Sequence, residues 1–218
     1  MLSLCWSNSV YDTDQEQIEA LQTWWSKYGN WVIAAFIIFI AAYVGVQLYQ
    51  NARENHRIEA SVIYDELSAS LADSENTEKQ QELIDALKRD YSDLGYGAMA
   101  ALIAAKIDVD AGDFEAALSE LDWARKNSDD ELLALVQYRK AQVEFQLGEL
   151  DAALSTLAAI EGTGHEAVTF ELKGDVLFEQ GDIEAARQAY QTAYELSSEQ
   201  SINNPYLKIK LDDLAVAE

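Results

Sequence analysis

The chain has 218 residues, of which 15 are basic and 39 acidic, giving a formal net charge of −24 at pH 7. Such an excess of carboxylates repels phosphate backbones and argues against nucleic-acid binding. One cysteine builds no intrachain disulfide framework, and one proline leaves long stretches free to be helical.

In chain order, residues 1–30 read as a leader ending in an amphipathic juxtamembrane segment, DQEQIEALQTWWSKYGN. Residues 31–49 follow as a transmembrane signal anchor, with no charge between Lys27 and Arg53. About 20 helical residues at about 1.5 Å each cross a hydrocarbon core of about 30 Å. Trp24, Trp25 and Trp31 mark one interface, and Tyr43 and Tyr49 the other. The competing reading of the run is a buried core helix. Cleavage is not expected: the segment before the run carries Asp12, Asp14, Glu16 and Glu19 against Lys27, and no small-residue pair follows it. Cys5 lacks the apolar stretch that a lipoprotein signal places before its cysteine. Ala34, Ala41 and Gly45 fall near one face of the span, where small residues let another membrane helix approach closely. Charge leaves orientation open: Lys27 on one side against Arg53 and Arg57 on the other mildly favours a cytoplasmic C-terminal domain.

Residues 53–218 hold 14 basic and 35 acidic residues, a formal charge of −21, which keeps this part off anionic headgroups. Its length suffices for one domain with a core. The first two helices after the span offer Ala60, Ile63, Tyr64, Leu67 and Leu71, then Leu83, Ile84, Leu87 and Tyr91, with a capping box from Thr77 to Gln80. No Pro or Gly separates Val46 from Leu71, so the membrane helix is expected to run on into this domain.

Three segments then repeat: GDFEAALSELDWARK from Gly112, GELDAALSTLAAIEG from Gly148 and GDIEAARQAYQTAYE from Gly181, their glycines 36 and 33 residues apart. Glycine accepts the left-handed conformation that ends one helix, and the next acidic residue caps the following one. Ala117, Ala153 and Ala186 let the second helix lie close to the first, while Leu121, Leu157 and Tyr190 fill the gap to the next repeat. Each motif follows an amphipathic helix, over residues 98–110, 131–147 and 165–180. Helical pairs near 34 residues have the tetratricopeptide period, and the last repeat fits it best, with Gly174, Gly181, Ala186, Tyr190 and Ala193. In the earlier repeats Ala105 and Ala141 replace the first glycine. Asn204 and Pro205 read as cap and first residue of a closing helix, with Leu207, Leu211 and Leu214 covering the last repeat. The fold expected is all-α: one N-terminal transmembrane helix followed, over residues 50–218, by a tetratricopeptide-like α-solenoid.

Chemistry is sparse. His56 and His165 have no Cys, Asp or Glu at zinc-ligand spacing, and no phosphate-binding glycine motif is present, so no enzyme, cofactor, metal or small-molecule substrate is expected. Gly162-Thr163-Gly164 reads as a loop between repeats. What remains is a concave groove lined by the first helix of each pair. Repeat offsets place Met99, Leu102, Lys106, Leu135, Tyr138, Gln142, Phe145, Val168, Glu171, Asp175 and Phe178 there. Apolar and aromatic side chains among uncharged polar ones suit a peptide or a partner helix. The scarcity of basic residues argues against a clamp for acidic tails.

The acidic leader, the juxtamembrane stretch, the single span and the divergent repeats together resemble the YfgM family, the ancillary subunits of the bacterial SecYEG translocon. LDAALSTLAAIEGTGHEAVTFELKGDVLFEQGDIEAARQAY is especially similar to that family's C-terminal half. The resemblance covers roughly residues 10–214. Residues 1–9 do not fit it, and Val10 is a candidate initiator. It implies a single-pass inner-membrane protein with a cytoplasmic N-terminus and a periplasmic repeat domain. Its implied partners are the SecYEG translocon and the membrane-anchored periplasmic chaperone PpiD. On that topology Ile18, Leu21, Trp24, Trp25 and Tyr28 form an interfacial helix on the cytoplasmic face. The function implied is passing translocated proteins to periplasmic chaperones. The alternatives are a repeat regulator facing the cytoplasm and an independent holdase chaperone.

Overall fold

The computed structural model describes residues 10–72, 76–160, 162–199 and 204–215. Residues 1–9, including Cys5, lie outside them. The described residues form helices and connecting turns without strands, and the chain divides into two compact units, residues 1–56 and 57–218.

α1 runs unbroken from Val10 to Ser70, 61 residues, because nothing in its sequence terminates a helix. In the first unit every large apolar side chain from Trp31 to Tyr49 is exposed, and an 18-residue window averages a hydropathy of 2.3. A core helix hides an apolar stripe, whereas this one is apolar all round and covered nowhere, which removes the core-helix alternative. Trp24 and Tyr28 approach with ring centroids 5.9 Å apart, and the Lys27 ammonium lies 5.4 Å from the Tyr28 ring. Ile18 to Tyr28 belong to the same continuous helix as the span.

The second unit is built of helical pairs. The end of α1 packs with α2 (Thr77–Asp90), and the pairs that follow are α3 (Gly95–Ala111) with α4 (Phe114–Asn127), α5 (Asp130–Gln146) with α6 (Leu150–Ala158), and α7 (Glu166–Glu179) with α8 (Ile183–Glu199). α9 (Pro205–Ala215) closes the series. The repeat glycines punctuate it: Gly112, Gly148 and Gly181 have φ of 79°, 74° and 82°, the left-handed region where a Cβ is strained. Asp113 and Asp182 then accept hydrogen bonds from the amides of Ala116 and Ala185, three residues on. Glu149, one methylene longer, makes no such side-chain bond.

Four apolar clusters run along the unit. Ala60, Leu67, Ile84, Leu87 and Ala100 form the first; Ala101, Ala105, Ala117 and Leu121 the second; Ala141, Ala153, Leu157 and Leu172 the third; Ala186, Tyr190, Leu207 and Leu214 the last. α9 begins where Asn204 accepts from the Tyr206 amide, and its leucines cover α7 and α8. Two expectations fail. The capping box does not form: Asn76 is the N-cap of α2, and Gln80 is buried with its amide donating to the Ser70 carbonyl, 2.8 Å away. Tying α2 to the end of α1 takes the side chain that would have reached back. Leu71 is exposed because α1 ends one residue before it.

Candidate functional site

The first helices of successive pairs bring their free faces together as a groove of about 910 Å³ within the second unit. Its floor holds Ala105, Leu121, Val143 and Leu172, each fixed in the apolar clusters. Its walls carry Met99, Leu102, Ile103 and Lys106 from α3, and Leu132, Leu135, Arg139, Gln142, Phe145 and Gln146 from α5. Tyr64 and Asp175 extend it towards the two ends of the repeat series. Lys106 pairs with Asp110, and the Arg139 guanidinium donates to Gln142 Oε1 at 2.9 Å.

Of the eleven residues placed in the groove by repeat offsets, Met99, Leu102, Lys106, Leu135, Gln142, Phe145 and Asp175 line this cavity. Tyr138, Val168, Glu171 and Phe178 are not part of its lining. Tyr138 packs against the third cluster with its ring 5.9 Å from the Arg139 guanidinium. Burial, and next to it the Glu171 carboxylate, raises the Tyr138 hydroxyl pKa. Val168 and Phe178 stand 41% and 50% exposed on α7. Between them, Glu171 and Asp175 are taken up by α9: Lys210 Nζ lies 3.1 Å from Glu171 and 2.6 Å from Asp175, and the Asn204 amide donates to Glu171. Offset reasoning missed Ile103, Asp110, Leu132, Arg139 and Gln146. Each sits three or four positions from a residue it named, so a stripe two side chains wide would have found them.

The polar junction at α9 sets an alkaline limit. Tyr190 donates to Asp175 Oδ1 at 2.6 Å, and burial, then this bond, pushes its hydroxyl pKa far above the ordinary tyrosine value. Burial works to lower the Lys210 pKa, but its hydrogen bonds to Asp175 and Glu171 outweigh burial and leave it raised. Both groups hold their protons more tightly folded than unfolded, so their stabilisation is complete below the unfolded pKa values, about 10, and is lost as pH rises beyond them. Stability measured by urea denaturation should fall above about pH 10. Tyr190→Phe should be less stable at neutral pH but decline less steeply in that range.

Among the described residues no group of three or more His, Cys, Asp or Glu side chains comes together as a metal site. His165 occupies the N-cap position of α7 without a side-chain capping bond, and His56 lies in α1.

Known proteins match this arrangement. Residues 22–216 fit the family described as tetratricopeptide repeat-like domain. The ancillary SecYEG translocon subunit of Haemophilus influenzae is 33% identical over 94% of this chain and 100% of its own length. The protein of that name in Escherichia coli is 26% identical over 95% of this chain and 99% of its own. Among solved structures, residues 41 to the end of MamA from Desulfovibrio magneticus superpose with a TM-score of 0.54 at 18% identity, covering 72% of this chain and 88% of that one, a likeness of fold. With a repeat-domain match over nearly the whole chain and full-length similarity to those subunits, the chain belongs to the ancillary SecYEG translocon subunit family.

Proposed function

We propose that this chain is an inner-membrane, periplasm-facing interaction module of the Sec translocon that helps pass translocated proteins to periplasmic chaperones, PpiD among them. The observation that carries this reading is the pairing of one fully exposed apolar helix with a repeat domain bearing an open, largely apolar groove. The first holds the protein beside a membrane-embedded partner, and the second offers a surface for a peptide or helix. The full-length similarity to translocon subunits supplies the identity of the first partner. Ala34, Ala41 and Gly45 fall near one face of the span, and their small side chains suit this face to close contact with another membrane helix.

Orientation is the part of this proposal that the two basic residues after the span oppose. Alkaline phosphatase fused after Glu218 should be active in intact cells, and β-galactosidase at that position silent. The reverse pattern would put the repeats in the cytoplasm and favour the regulator.

A further inference from the structure

Two cations bracket the membrane span, and each lies beside an aromatic ring. Tyr28 and Tyr49 stand 21 residues apart on α1. At about 1.5 Å per residue that is roughly 32 Å, close to the hydrocarbon thickness of about 30 Å. Lys27 and Arg53 lie just outside them, 26 residues apart. That separation of roughly 39 Å puts both in the headgroup layers of a bilayer about 40–45 Å thick overall. The Lys27 ammonium is 5.4 Å from the Tyr28 ring centroid, and the Arg53 guanidinium 6.0 Å from that of Tyr49. Side chains on a helix lean towards its N-terminus, so Arg53 reaches back over the residue four before it, towards the span.

Elsewhere in the chain cations seek carboxylates: Lys106 pairs with Asp110, and Lys140 with Glu144, each one turn away. Among the described residues neither Lys27 nor Arg53 makes an ion pair; each has a tyrosine ring instead. The nearest acids by sequence are poorly placed to neutralise them. Glu54 follows Arg53 directly and leaves the helix about 100° round from it. Asp12, Asp14, Glu16 and Glu19 precede Lys27 by eight residues or more, at least about 12 Å along α1. A ring face holds a cation without cancelling its charge, which leaves the N–H groups free to donate to an anionic oxygen. At headgroup depth the anionic oxygens common to all phospholipids are those of the phosphodiester.

We propose that Lys27 with Tyr28, and Arg53 with Tyr49, each bind the phosphate of a membrane phospholipid, one in each leaflet. The ring fixes the cation at phosphate depth, and the guanidinium adds a fork that can donate to two phosphate oxygens at once. Both leaflets of a phospholipid bilayer supply this ligand, so the two sites operate in either orientation of the span. Their failure would leave the periplasmic assignment untouched.

Solid-state NMR on the full-length protein in phospholipid bilayers and phosphate-free buffer tests this, reading carbon–phosphorus dipolar dephasing. Arginine Cζ is isotope-labelled in one sample and lysine Cε in another, and Arg57, in the second unit, is left unchanged throughout. Arg53→Gln should remove most of the phosphorus-dephased arginine signal, and Lys27→Gln most of the dephased lysine signal. Arg53→Lys should move the first effect into the lysine-labelled sample. Tyr49→Leu, which keeps the charge but removes the ring, should cut the Arg53 effect to about half. In galactolipid bilayers with inorganic phosphate in the buffer, no dephasing should appear. Dephasing there would assign the sites to free phosphate and overturn the lipid reading. Dephasing absent from the parent protein, or unchanged in either glutamine variant or in Tyr49→Leu, would also overturn it.

Discussion

Replacing Gly174 with alanine should destabilise the repeat domain by about 2–3 kcal/mol, the upper part of the range for overpacking a close-packed site. A Cβ built at this position lies 2.5 Å from the Tyr190 ring. That ring cannot swing aside: it is buried in the last apolar cluster, and its hydroxyl is held on Asp175. The equivalent pairs explain why only this repeat requires glycine. Ala105 and Leu121 share the second cluster, Ala141 and Leu157 share the third, and each pair has the 16-residue spacing of Gly174 and Tyr190. Alanine faces leucine, and glycine faces tyrosine. Adding Tyr190→Leu to Gly174→Ala recreates the arrangement of the other repeats and should recover most of the loss, short of the tyrosine's hydrogen bond. Chemical denaturation of the three variants checks this; a Gly174→Ala protein as stable as the parent would refute the close approach.

Lys140→Met should cost more, about 3 kcal/mol or above, because it strands a buried carboxylate. The Glu144 side chain is only 4% exposed; Lys140 Nζ lies 2.7 Å from its Oε1, while its Oε2 has no hydrogen-bond partner among the described residues. Without the ammonium nothing offsets the desolvation of that charge. The loss is a large fraction of the roughly 5–15 kcal/mol that holds an ordinary domain folded. Glu144→Leu in the Lys140→Met background should return most of it, since a well-packed apolar pair often matches a buried ion pair. If the single and double variants unfold at the same urea concentration, the ion pair is not what stabilises this part of α5.

Helix boundaries in the repeat domain were legible because glycine, acid and small residue each perform a separable local job there. Gly112 and Gly181 end helices in the left-handed conformation, and the aspartates after them cap the next ones. The start of α2 was not legible, because Thr77 and Gln80 have capping-box spacing but Gln80 is recruited by Ser70. A long-range partner decided that outcome. The groove was half legible. Repeat offsets give one stripe per helix, which finds Leu102, Leu135 and Gln142 but not Ile103 or Arg139 beside them. Nor do offsets reveal that α9 covers Glu171 and Asp175, since that depends on how the closing helix docks. Tyr138 and Phe145, two turns apart and natural choices for partner anchors, both pack on the third cluster. Truncating them would therefore unsettle the core as well as any partner surface. Leu135, exposed in the groove wall and outside the apolar clusters, is the cleaner probe.

The central claim is that the groove is where this membrane-anchored domain meets its partners. Photo-crosslinking in intact cells tests it most directly, with benzoylphenylalanine placed singly at Leu102 and Leu135 in the groove and at Ser119 and Lys126 on the exposed face of α4. The account predicts ultraviolet-dependent adducts to translocon-associated chaperone or translocating chains from the two groove positions, and none from α4. Adducts confined to Ser119 and Lys126, with the groove positions silent in a folded, membrane-inserted protein, would contradict it.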